Sequence, residues 1–310
     1  MTSNRIGDAI LSTGLLAHLI DTWPQARITL ACGPVAAPLF ADTPNVERLI
    51  ALAKQRRAGH WIDLWRQCAG QVWDLVVDLR ASALAWMLLA RRRAVLRKGH
   101  APIHRVRLIS AVLGLDPPAP PRLYIGPERH RRGHDLISDG APVLALGPTA
   151  NWGGKQWPAD RFAALAQDLL APGAPLAGGR IAVFAGPNER GPVDTLIAGL
   201  PGVTVIDLAG SIDLLTAAAC LQRCALYVGN DSGLMHLAAA AGVPTLGLFG
   251  PSPELHYAPW GERAAFVRTP ESFEQIVHAP GYDWRRQDSL MTSLTVTTVA
   301  QAARNLLART

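Results

Sequence analysis

One stretch of the chain, residues 226–250, has the pattern of a strand, a tight turn, a helix and a second strand. It reads LYVGNDSGLMHLAAAAGVPTLGLFG. Asp231 and Ser232 stand where a helix N-cap is expected, before an Ala-rich run that ends at Gly242. At the end of a parallel strand, such a turn directs unpaired helix N–H groups and the positive end of the helix dipole into a crevice. The stretch therefore predicts a parallel α/β sheet with an anion site near residues 231–233.

The polar residues of this turn allow two interpretations. Asp231 and His236 could belong to the anion site, with His236 reaching back toward the turn. Alternatively, Asp231 only caps the helix and His236 packs beneath it, because Asp and Ser are the commonest caps of any helix.

Strands and helices alternate along the whole chain, which is typical of parallel α/β sheets. Residues 1–138 form a first predicted domain and residues 139–295 a second, separated by the Pro-rich stretch 116–121 and the basic run 128–134. Residues 296–310 form a C-terminal helix that could pack back on the first domain. Predicted helices of the first domain lie at 8–22, 34–41, 59–70, 82–92 and 103–113, and predicted strands at 27–31, 46–52, 74–79 and 94–97. Predicted strands of the second domain lie at 142–146, 180–185, 203–207, 225–228 and 244–249, and predicted helices at 158–170, 189–198, 211–222 and directly after Ser232.

The start of the chain lacks a first strand of normal length. Gly7 and Asp8 have the pattern of a turn after a strand, but only six residues precede them. A parallel sheet without its central strand would expose two edges. We expect either a start upstream of Met1 or a very short first strand made by residues 2–4.

Charge is distributed unevenly. The net charge is +6, and up to Asp135 there are 19 Lys and Arg against 10 Asp and Glu. This asymmetry indicates an anionic partner for the first half, such as nucleic acid, a membrane surface or a phosphorylated acceptor. The first-half cluster is either a functional patch or a solvated helix face, and it lacks the interleaved aromatic residues that suit nucleic acid. It comprises Arg91, Arg92, Arg93, Arg97, Lys98, Arg105 and Arg107.

Hydrophobic runs, the chain start and the cysteines indicate the cellular compartment of the protein. The chain has no uncharged apolar run long enough to span a membrane, and its start lacks the pattern of a signal peptide. Cys32, Cys68, Cys220 and Cys224 form no paired CxxC sets, which favours reduced core thiols over a zinc site. We expect a cytoplasmic protein that could contact the cytoplasmic face of the inner membrane.

Three polar clusters follow predicted strands or open predicted helices, where open α/β sheets bind ligands. They are residues 3–8, residues 147–158 and residues 230–236. In the second cluster small residues let the backbone approach an anion and Lys155 offers a point charge; a solvated loop lysine is the alternative for Lys155. Neither a Walker A loop, a GxGxxG fingerprint, a Gly-x-Ser-x-Gly elbow nor an Asp-x-Asp pair occurs. We expect neither a metal site nor another cofactor.

Four segments together resemble glycosyltransferase family 9, the lipopolysaccharide heptosyltransferases. They are IGDA from Ile6, KQWP from Lys155, FAGPNE from Phe184 and NDSGLMH from Asn230. The resemblance covers nearly the whole chain and is most specific in the last segment. It implies an α/β fold of GT-B architecture, in which two Rossmann-like doubly wound domains face a cleft, the first holding the acceptor and the second the nucleotide sugar.

The resemblance also implies roles for individual residues. Asp8 matches the catalytic base and Lys155 the donor-phosphate lysine, whereas a helix-capping carboxylate is the alternative for Asp8. Either Glu189 or Asn188 matches the ribose-binding acid. The donor site is expected to comprise Thr149, Asn151, Lys155, Asn188, Glu189, Asp231, Ser232, Gly233 and His236. The acceptor site is expected to comprise Asn4, Arg5, Arg91, Arg92, Arg93, Arg97 and Lys98.

The function expected from these features is an inverting, metal-independent transfer of a heptose or related sugar from an ADP-sugar to a lipopolysaccharide-core acceptor. A nucleotide-sugar epimerase or a transferase for another sugar would use the same architecture. A non-catalytic nucleotide-sugar-binding protein, in which Asp8 is only structural, is the alternative from another class. The expected partners are a nucleotide sugar and an anionic acceptor, with contact to the inner membrane as a further option and no nucleic acid.

Overall fold

The structure, a computed structural model, describes residues 1–97 and 102–310. It divides into two compact units, Met1–Tyr124 and Ile125–Thr310. The sequence pattern places this boundary near Asp139 instead. The difference arises because the basic run 128–134 is not a linker but part of a helix that packs within the second unit.

The first unit contains short helices and four strands. Its elements are α1 (Ile6–Leu11), α2 (Thr13–Thr22), β1 (Ile28–Cys32), β2 (Val46–Ala51), α3 (Gly59–Cys68), β3 (Trp73–Asp78), α4 (Leu84–Met87), β4 (Ala90–Val95) and α5 (Arg105–Ser110), with 3-10 turns at Ala37–Phe40, Arg56–Ala58 and Ala111–Leu113. β1 pairs with β2 and β3 with β4, both in parallel. Residues from these strands and from α3 and α4 form a separate apolar core.

The chain start lies between the two strand pairs. The Thr2 amide donates to the Ala31 carbonyl on the β1 side, at 2.9 Å. On the β3 side the Met1 amine donates to the Val77 carbonyl at 2.7 Å, and the Leu79 amide donates to the Met1 carbonyl at 3.0 Å. The structure assigns no strand to residues 1–4. These three hydrogen bonds nevertheless satisfy backbone groups on both inner edges that would otherwise be unpaired.

Two helix predictions for the first unit are wrong in detail. The predicted helix 8–22 is interrupted at Ser12, whose hydroxyl donates to the Ala9 carbonyl at 2.7 Å; such back-bonding competes with helix continuation. The predicted helix 82–92 ends at Met87, and Arg91, Arg92 and Arg93 lie on the edge strand β4. Parallel pairing with β3 outweighs the intrinsic preference of arginine for helices, which is among the higher ones.

The second unit is a larger three-layer α/β structure. Its elements are α6 (Pro127–Leu136), β5 (Val143–Gly147), α7 (Ala159–Leu170), β6 (Arg180–Val183), α8 (Arg190–Ala198), β7 (Val205–Asp207), α9 (Leu214–Leu221), β8 (Leu226–Asn230), α10 (Gly233–Ala241), β9 (Thr245–Phe249), α11 (Glu254–Tyr257), β10 (Ala264–Arg268), α12 (Phe273–Val277) and α13 (Val296–Leu307), with a 3-10 turn at Gly153–Lys155. The sequence pattern did not predict α6, α11, β10 or α12. α6 nevertheless has a helix start in its sequence, with Pro127 at its first position and Glu128 in its first turn.

Six parallel strands form the sheet of the second unit, in the order β10-β9-β8-β5-β6-β7. Renumbered within the unit, this is the Rossmann order 3-2-1-4-5-6 read from the β7 edge. The central strands β5, β8 and β9 are buried at every position, as expected for a sheet covered on both faces. The C-terminal helix α13 packs on α7, β9 and β10 within this unit.

Candidate functional site

The strand order of the second unit creates a crevice between β5 and β8. β5 continues through α7 to β6 on one side, whereas β8 continues through α10 to β9 on the other. Ligands of open α/β sheets bind at this switch point, outside the carboxyl ends of the strands. The loop 148–158 after β5 and the turn at 231–232 after β8 meet there, so the structure brings together the second and third polar clusters.

Lys155 and Asp231 form the central contact of the crevice. The Lys155 Nζ atom lies 2.5 Å from the Asp231 Oδ2 atom, and the two side chains are 24% and 7% exposed. Asn230 holds the loop that carries the lysine, because its Oδ1 accepts from the Trp157 amide at 3.0 Å and its Nδ2 donates to the Pro148 carbonyl at 2.8 Å. One buried amide thus fixes both ends of the Lys155 loop.

Asp231 does not cap the helix, so that part of the alternative interpretation is wrong, whereas the burial of His236 that it also predicts is observed. The N-cap position of α10 is occupied by Ser232, which makes no side-chain capping bond, and the Asp231 carboxylate is engaged by Lys155. The first N–H groups of an α-helix have no acceptor within the helix. The amino end of α10 therefore presents donors and positive dipole potential beside the Lys155 ammonium group. His236, one turn further along, is buried.

A tyrosine packs beneath this turn. Tyr227 is fully buried, and its hydroxyl oxygen would lie 2.1 Å from a Cβ atom on Gly147 and 2.3 Å from one on Gly229. These two glycines are paired between the parallel strands β5 and β8. The phenol ring therefore lies against the sheet where neither strand carries a side chain. Burial raises the pKa of Tyr227, and the nearby Ser232 hydroxyl opposes that shift. Neither hydroxyl makes a well-formed hydrogen bond to another described residue. Sequence reasoning missed Tyr227 because nothing in its local pattern distinguishes it from a core aromatic.

Glu189 lies at the adjacent strand end, before α8. Its Oε2 accepts from the Thr149 hydroxyl and from the Gly186 amide, both at 2.7 Å. Thr149 follows β5 and is buried, so these bonds connect the β5 and β6 loops. Asn188 is exposed with a φ of 68°, and Asn151 is exposed on the Lys155 loop. Of the two candidates for the ribose acid, Glu189 is therefore the one held by polar contacts.

A C-terminal segment clamps the Lys155 loop. The Trp152 indole donates to the Arg286 carbonyl at 2.7 Å, the Gly153 amide donates to Gln287 Oε1 at 3.1 Å, and the Leu290 amide donates to the Gly154 carbonyl at 3.0 Å. We call residues 286–290 the strap. Sequence reasoning missed the strap, because its contacts join positions more than 130 residues apart.

Asp8 lies in the first turn of α1 in the first unit. Its side chain is 18% exposed and faces Arg105, whose Nε lies 3.7 Å from the Asp8 Oδ1 atom. Ser3 donates to the other oxygen at a long distance of 3.4 Å. Among the described residues no hydrogen-bond donor reaches Oδ1. Within this part of the chain, Asp8 Oδ1 therefore has an unused hydrogen-bond acceptor position.

The other predicted acceptor residues do not form one cluster. The side-chain oxygen of Asn4 accepts a hydrogen bond from the Arg80 guanidinium group. The central carbon of that group also lies 4.8 Å from the centre of the Trp61 ring. Arg91 pairs with Asp74 at 3.3 Å, and Arg105 faces Asp8 instead of joining the basic group. Arg93 donates to the carbonyls of Ala85, Leu88 and Ala90. Arg5, Arg92 and Arg97 are exposed, and Lys98 lies outside the described residues.

No helix within residues 1–97 and 102–310 is both long and apolar enough to cross a bilayer. The same ranges contain no group of three or more His, Cys, Asp and Glu side chains placed to hold a metal ion.

Comparisons with known proteins agree on one family. The model of glycosyltransferase family 9 (heptosyltransferase) matches residues 65–279. Lipopolysaccharide heptosyltransferase 3 of Escherichia coli K12 is 23% identical over 83% of each chain, and lipopolysaccharide heptosyltransferase 2 of Salmonella typhimurium is 24% identical over 87% of each.

Solved structures show the same fold. The family 9 glycosyl transferase of Veillonella parvula aligns with a TM-score of 0.80 and 24% identity, covering 98% of this chain and 95% of its own. The E. coli heptosyltransferase WaaC with ADP aligns with a TM-score of 0.69 and 18% identity, covering 98% of both chains. These likenesses confirm the GT-B fold that the sequence resemblance implies.

Proposed function

Because the chain belongs to glycosyltransferase family 9, the heptosyltransferases of lipopolysaccharide core biosynthesis, we propose that it transfers a heptose from ADP-heptose to a core acceptor with inversion. The observation that carries the proposal is the Lys155–Asp231 pair beside the amino end of α10 at the switch point. A cation and free helix N–H groups at one crevice suit a diphosphate.

In this proposal the second unit binds the donor. The N–H groups of Ser232 and Gly233 and the Lys155 ammonium group bind the diphosphate. The bonds from Thr149 and Gly186 fix Oε2 of Glu189, so that Oε1 accepts from a ribose hydroxyl. Asn151, Asn188 and His236 complete the donor surroundings. The structural neighbour solved with ADP supports adenine as the base.

The transfer is a single displacement. Asp8 accepts the proton of an acceptor hydroxyl, the oxygen forms a bond to the anomeric carbon, and the bond from that carbon to the diphosphate oxygen breaks. Attack opposite to the leaving group inverts the anomeric centre. Negative charge accumulates on the departing ADP, where Lys155 and the helix N–H groups stabilise it, so the proposal requires no metal ion.

The first unit binds the acceptor. It is the basic part of the chain, and Arg5, Arg92 and Arg97 are exposed on it together with Asn4. An anionic, phosphorylated core acceptor matches this charge. Arg91 and Arg93, which already contact Asp74 and backbone carbonyls, contribute charge from fixed positions. Such a reaction takes place on the cytoplasmic side of the inner membrane, where its nucleotide sugar is available.

A lysine variant tests the donor site. Lys155→Ala removes the cation and should weaken ADP binding by tenfold or more, about 1.4 kcal/mol or above, as measured by calorimetry. Lys54→Ala, on an exposed loop of the first unit, is the matched control and should bind ADP normally. Because the variant leaves Asp231 buried and unpaired, the double variant with Asp231→Asn separates loss of the cation from loss of stability. Unchanged ADP affinity in both Lys155→Ala and the double variant with Asp231→Asn would refute the proposed donor site.

An aspartate variant tests the chemistry. Asp8→Asn keeps the shape of the side chain but cannot accept the proton, so turnover should fall by roughly a hundredfold or more while ADP affinity stays constant. Asp21→Asn is the control, since Asp21 also lies on an amino-terminal helix but is exposed and paired with Arg122. Near-normal turnover of Asp8→Asn would remove Asp8 from the mechanism.

Product analysis separates the related activities. Incubation with ADP-heptose and a core acceptor should yield a glycosylated acceptor and ADP. An epimerised nucleotide sugar formed without acceptor would indicate an epimerase, and turnover only with another donor would indicate a different transferase. Donor binding without any turnover would indicate a non-catalytic binding protein.

A further inference from the structure

The first unit exposes a group of large apolar side chains on α3, α4 and the residues that follow α4. We call Ile62, Trp65, Trp86, Met87 and Leu89 the apolar face. Trp86 is 68% exposed, and Met87 and Leu89 are nearly as exposed. Trp61, Ile62, Trp65 and Met87 line one open groove of about 470 Å³. Contiguous exposed apolar surface on a protein marks an interaction site more often than singly scattered residues do.

Local structure explains why these side chains cannot turn inward. In α3 the core positions are taken by Leu64 and Cys68, one helical turn apart, so Ile62 and Trp65 point away from the core. α4 has only four residues, and Leu84 and Ala85 supply its buried side. Trp86 and Met87 are therefore left on the outside.

Net positive charge borders the apolar face. Arg66 on α3 pairs with Asp63 at 3.8 Å and Arg91 on β4 pairs with Asp74 at 3.3 Å, whereas Arg92 and Arg93 add further exposed arginines on β4. The Arg93 guanidinium lies 5.9 Å from the centre of the Trp86 ring. The first unit as a whole contains 16 Lys and Arg against 8 Asp and Glu, whereas the second contains 14 against 16. Cations and exposed tryptophans therefore occur together on this unit.

We propose that the apolar face docks on an anionic lipid bilayer, with its aromatic and aliphatic side chains in the interfacial region and the flanking arginines at the lipid headgroups. Tryptophan favours the membrane interface, and arginine extends toward headgroup phosphates while its apolar stem stays in contact with lipid. Each basic residue near such a surface adds electrostatic attraction, and apolar insertion adds to it.

A bilayer explains this face better than a protein partner does. Stable protein interfaces use about 20–30 residues on each side, whereas this face has five large apolar side chains bordered by charge mainly of one sign. The inference deepens the proposed function, since a lipid-linked acceptor would be met at the membrane surface. It does not depend on turnover, because lipid docking can be measured without either substrate.

Vesicle flotation tests the proposal. The wild-type chain should float with phosphatidylcholine vesicles that contain phosphatidylglycerol, and rising salt should weaken binding. The triple variant Trp86→Ser, Met87→Ser and Leu89→Ser should bind at least about tenfold more weakly. Trp284→Ser is the matched control. Trp284 lies in the second unit, is 66% exposed and has the Arg285 guanidinium 5.5 Å from its ring centre. It therefore resembles Trp86 in exposure and in its arginine neighbour but lies outside the apolar face. This control should bind like the wild type.

Four vesicle-binding results would overturn the proposal, and a sedimentation result would be a fifth. The four are absence of wild-type binding to anionic vesicles, equal binding to pure phosphatidylcholine, equal loss of binding in the Trp284→Ser control, and undiminished binding of the triple variant. Self-association in sedimentation experiments that the triple variant abolishes would assign the face to a second copy of the chain instead. ADP binding and turnover on a delipidated acceptor should be normal in the triple variant, so failure of the proposed function would appear separately.

Discussion

At the scale of single residues, the donor turn depends on two positions that cannot carry a side chain. Gly147 and Gly229, paired between the parallel strands β5 and β8, leave the space that the Tyr227 phenol fills. The phenol in turn lies beneath Ser232, the residue that begins α10. Packing that supports a binding loop from below fixes the geometry of its N–H groups.

Replacing one of these glycines should therefore destabilise the second unit. Gly147→Ala places a Cβ atom 2.1 Å from the Tyr227 hydroxyl oxygen and should cost about 1–3 kcal/mol in the free energy of unfolding, measured by urea denaturation. In a Tyr227→Phe background the nearest atom is the ring carbon at 2.9 Å, so the cost should be smaller. Gly191→Ala is the control, because nothing lies within 4 Å of its Cβ position in α8. An equal cost of Gly147→Ala in both backgrounds would show that the phenol is not the obstacle.

The residues of the donor turn were predictable, but their partners were not. Asp231, Ser232 and Gly233 follow a buried strand and open a helix, which is a local pattern that sequence displays. The choice between capping and pairing for Asp231 depends on Lys155, 76 positions earlier. The contact between Asp8 and Arg105 likewise joins distant positions, although Arg105 had been recognised as part of a basic group. The spacing of residues along the chain does not show which distant side chain will contact them in the fold.

At the scale of elements, the strap links the C-terminal segment to the Lys155 loop. Gly153 is packed so tightly that a Cβ atom would lie 1.9 Å from the Gln287 carbonyl oxygen. Further along, Trp157 and Arg161 donate to the Leu294 carbonyl at 2.8 and 2.7 Å. The loop that carries the donor lysine is thus positioned from one side by Asn230 and from another by the strap and the residues after it.

Disturbing the strap should weaken donor binding more than it weakens the fold. Gly153→Ala forces the loop and the strap apart, so Lys155 should lose its position and ADP affinity should fall by about tenfold in calorimetry. Gln287→Ala removes only one side-chain acceptor and should have a smaller effect, within about 0.5–1.5 kcal/mol. The Gly191→Ala variant should bind ADP normally. Normal affinity in Gly153→Ala would mean that the strap has no role in placing Lys155.

Periodicity identified the buried central strands of the second unit better than the exposed edge strand β4 of the first unit. The buried strands β5, β8 and β9 are continuous apolar runs, so the sequence shows both their existence and their burial. β4 has three consecutive arginines because it is an exposed edge strand, and that composition is also compatible with a helix. Its identity depends on pairing with β3, and pairing is a tertiary property.

At the scale of the whole molecule, each unit has its own apolar core and its own pair of buried thiols. Cys32 and Cys68 belong to the first unit, and Cys220 and Cys224 to the second. Burial raises the pKa of Cys32 and of Cys220 to about 11, so both thiols stay protonated and unreactive in the folded protein near pH 8. In the unfolded chain these thiols regain ordinary pKa values, and alkylation then reports opening of the unit that contains them.

Nucleotide binding should therefore protect the two thiol pairs differently. If ADP binds only the folded second unit, a concentration of about one hundred times Kd should slow iodoacetamide labelling of Cys220 about a hundredfold near pH 8, followed by mass spectrometry of the peptides. Cys32 should be labelled at an unchanged rate, because the first unit folds around a separate core. Lys155→Ala should lose most of the protection at the same ADP concentration, which ties the effect to the crevice. Equal protection of Cys32 and Cys220 would mean instead that the two units open as one cooperative body, so that donor binding in the second unit also stabilises the fold around Asp8.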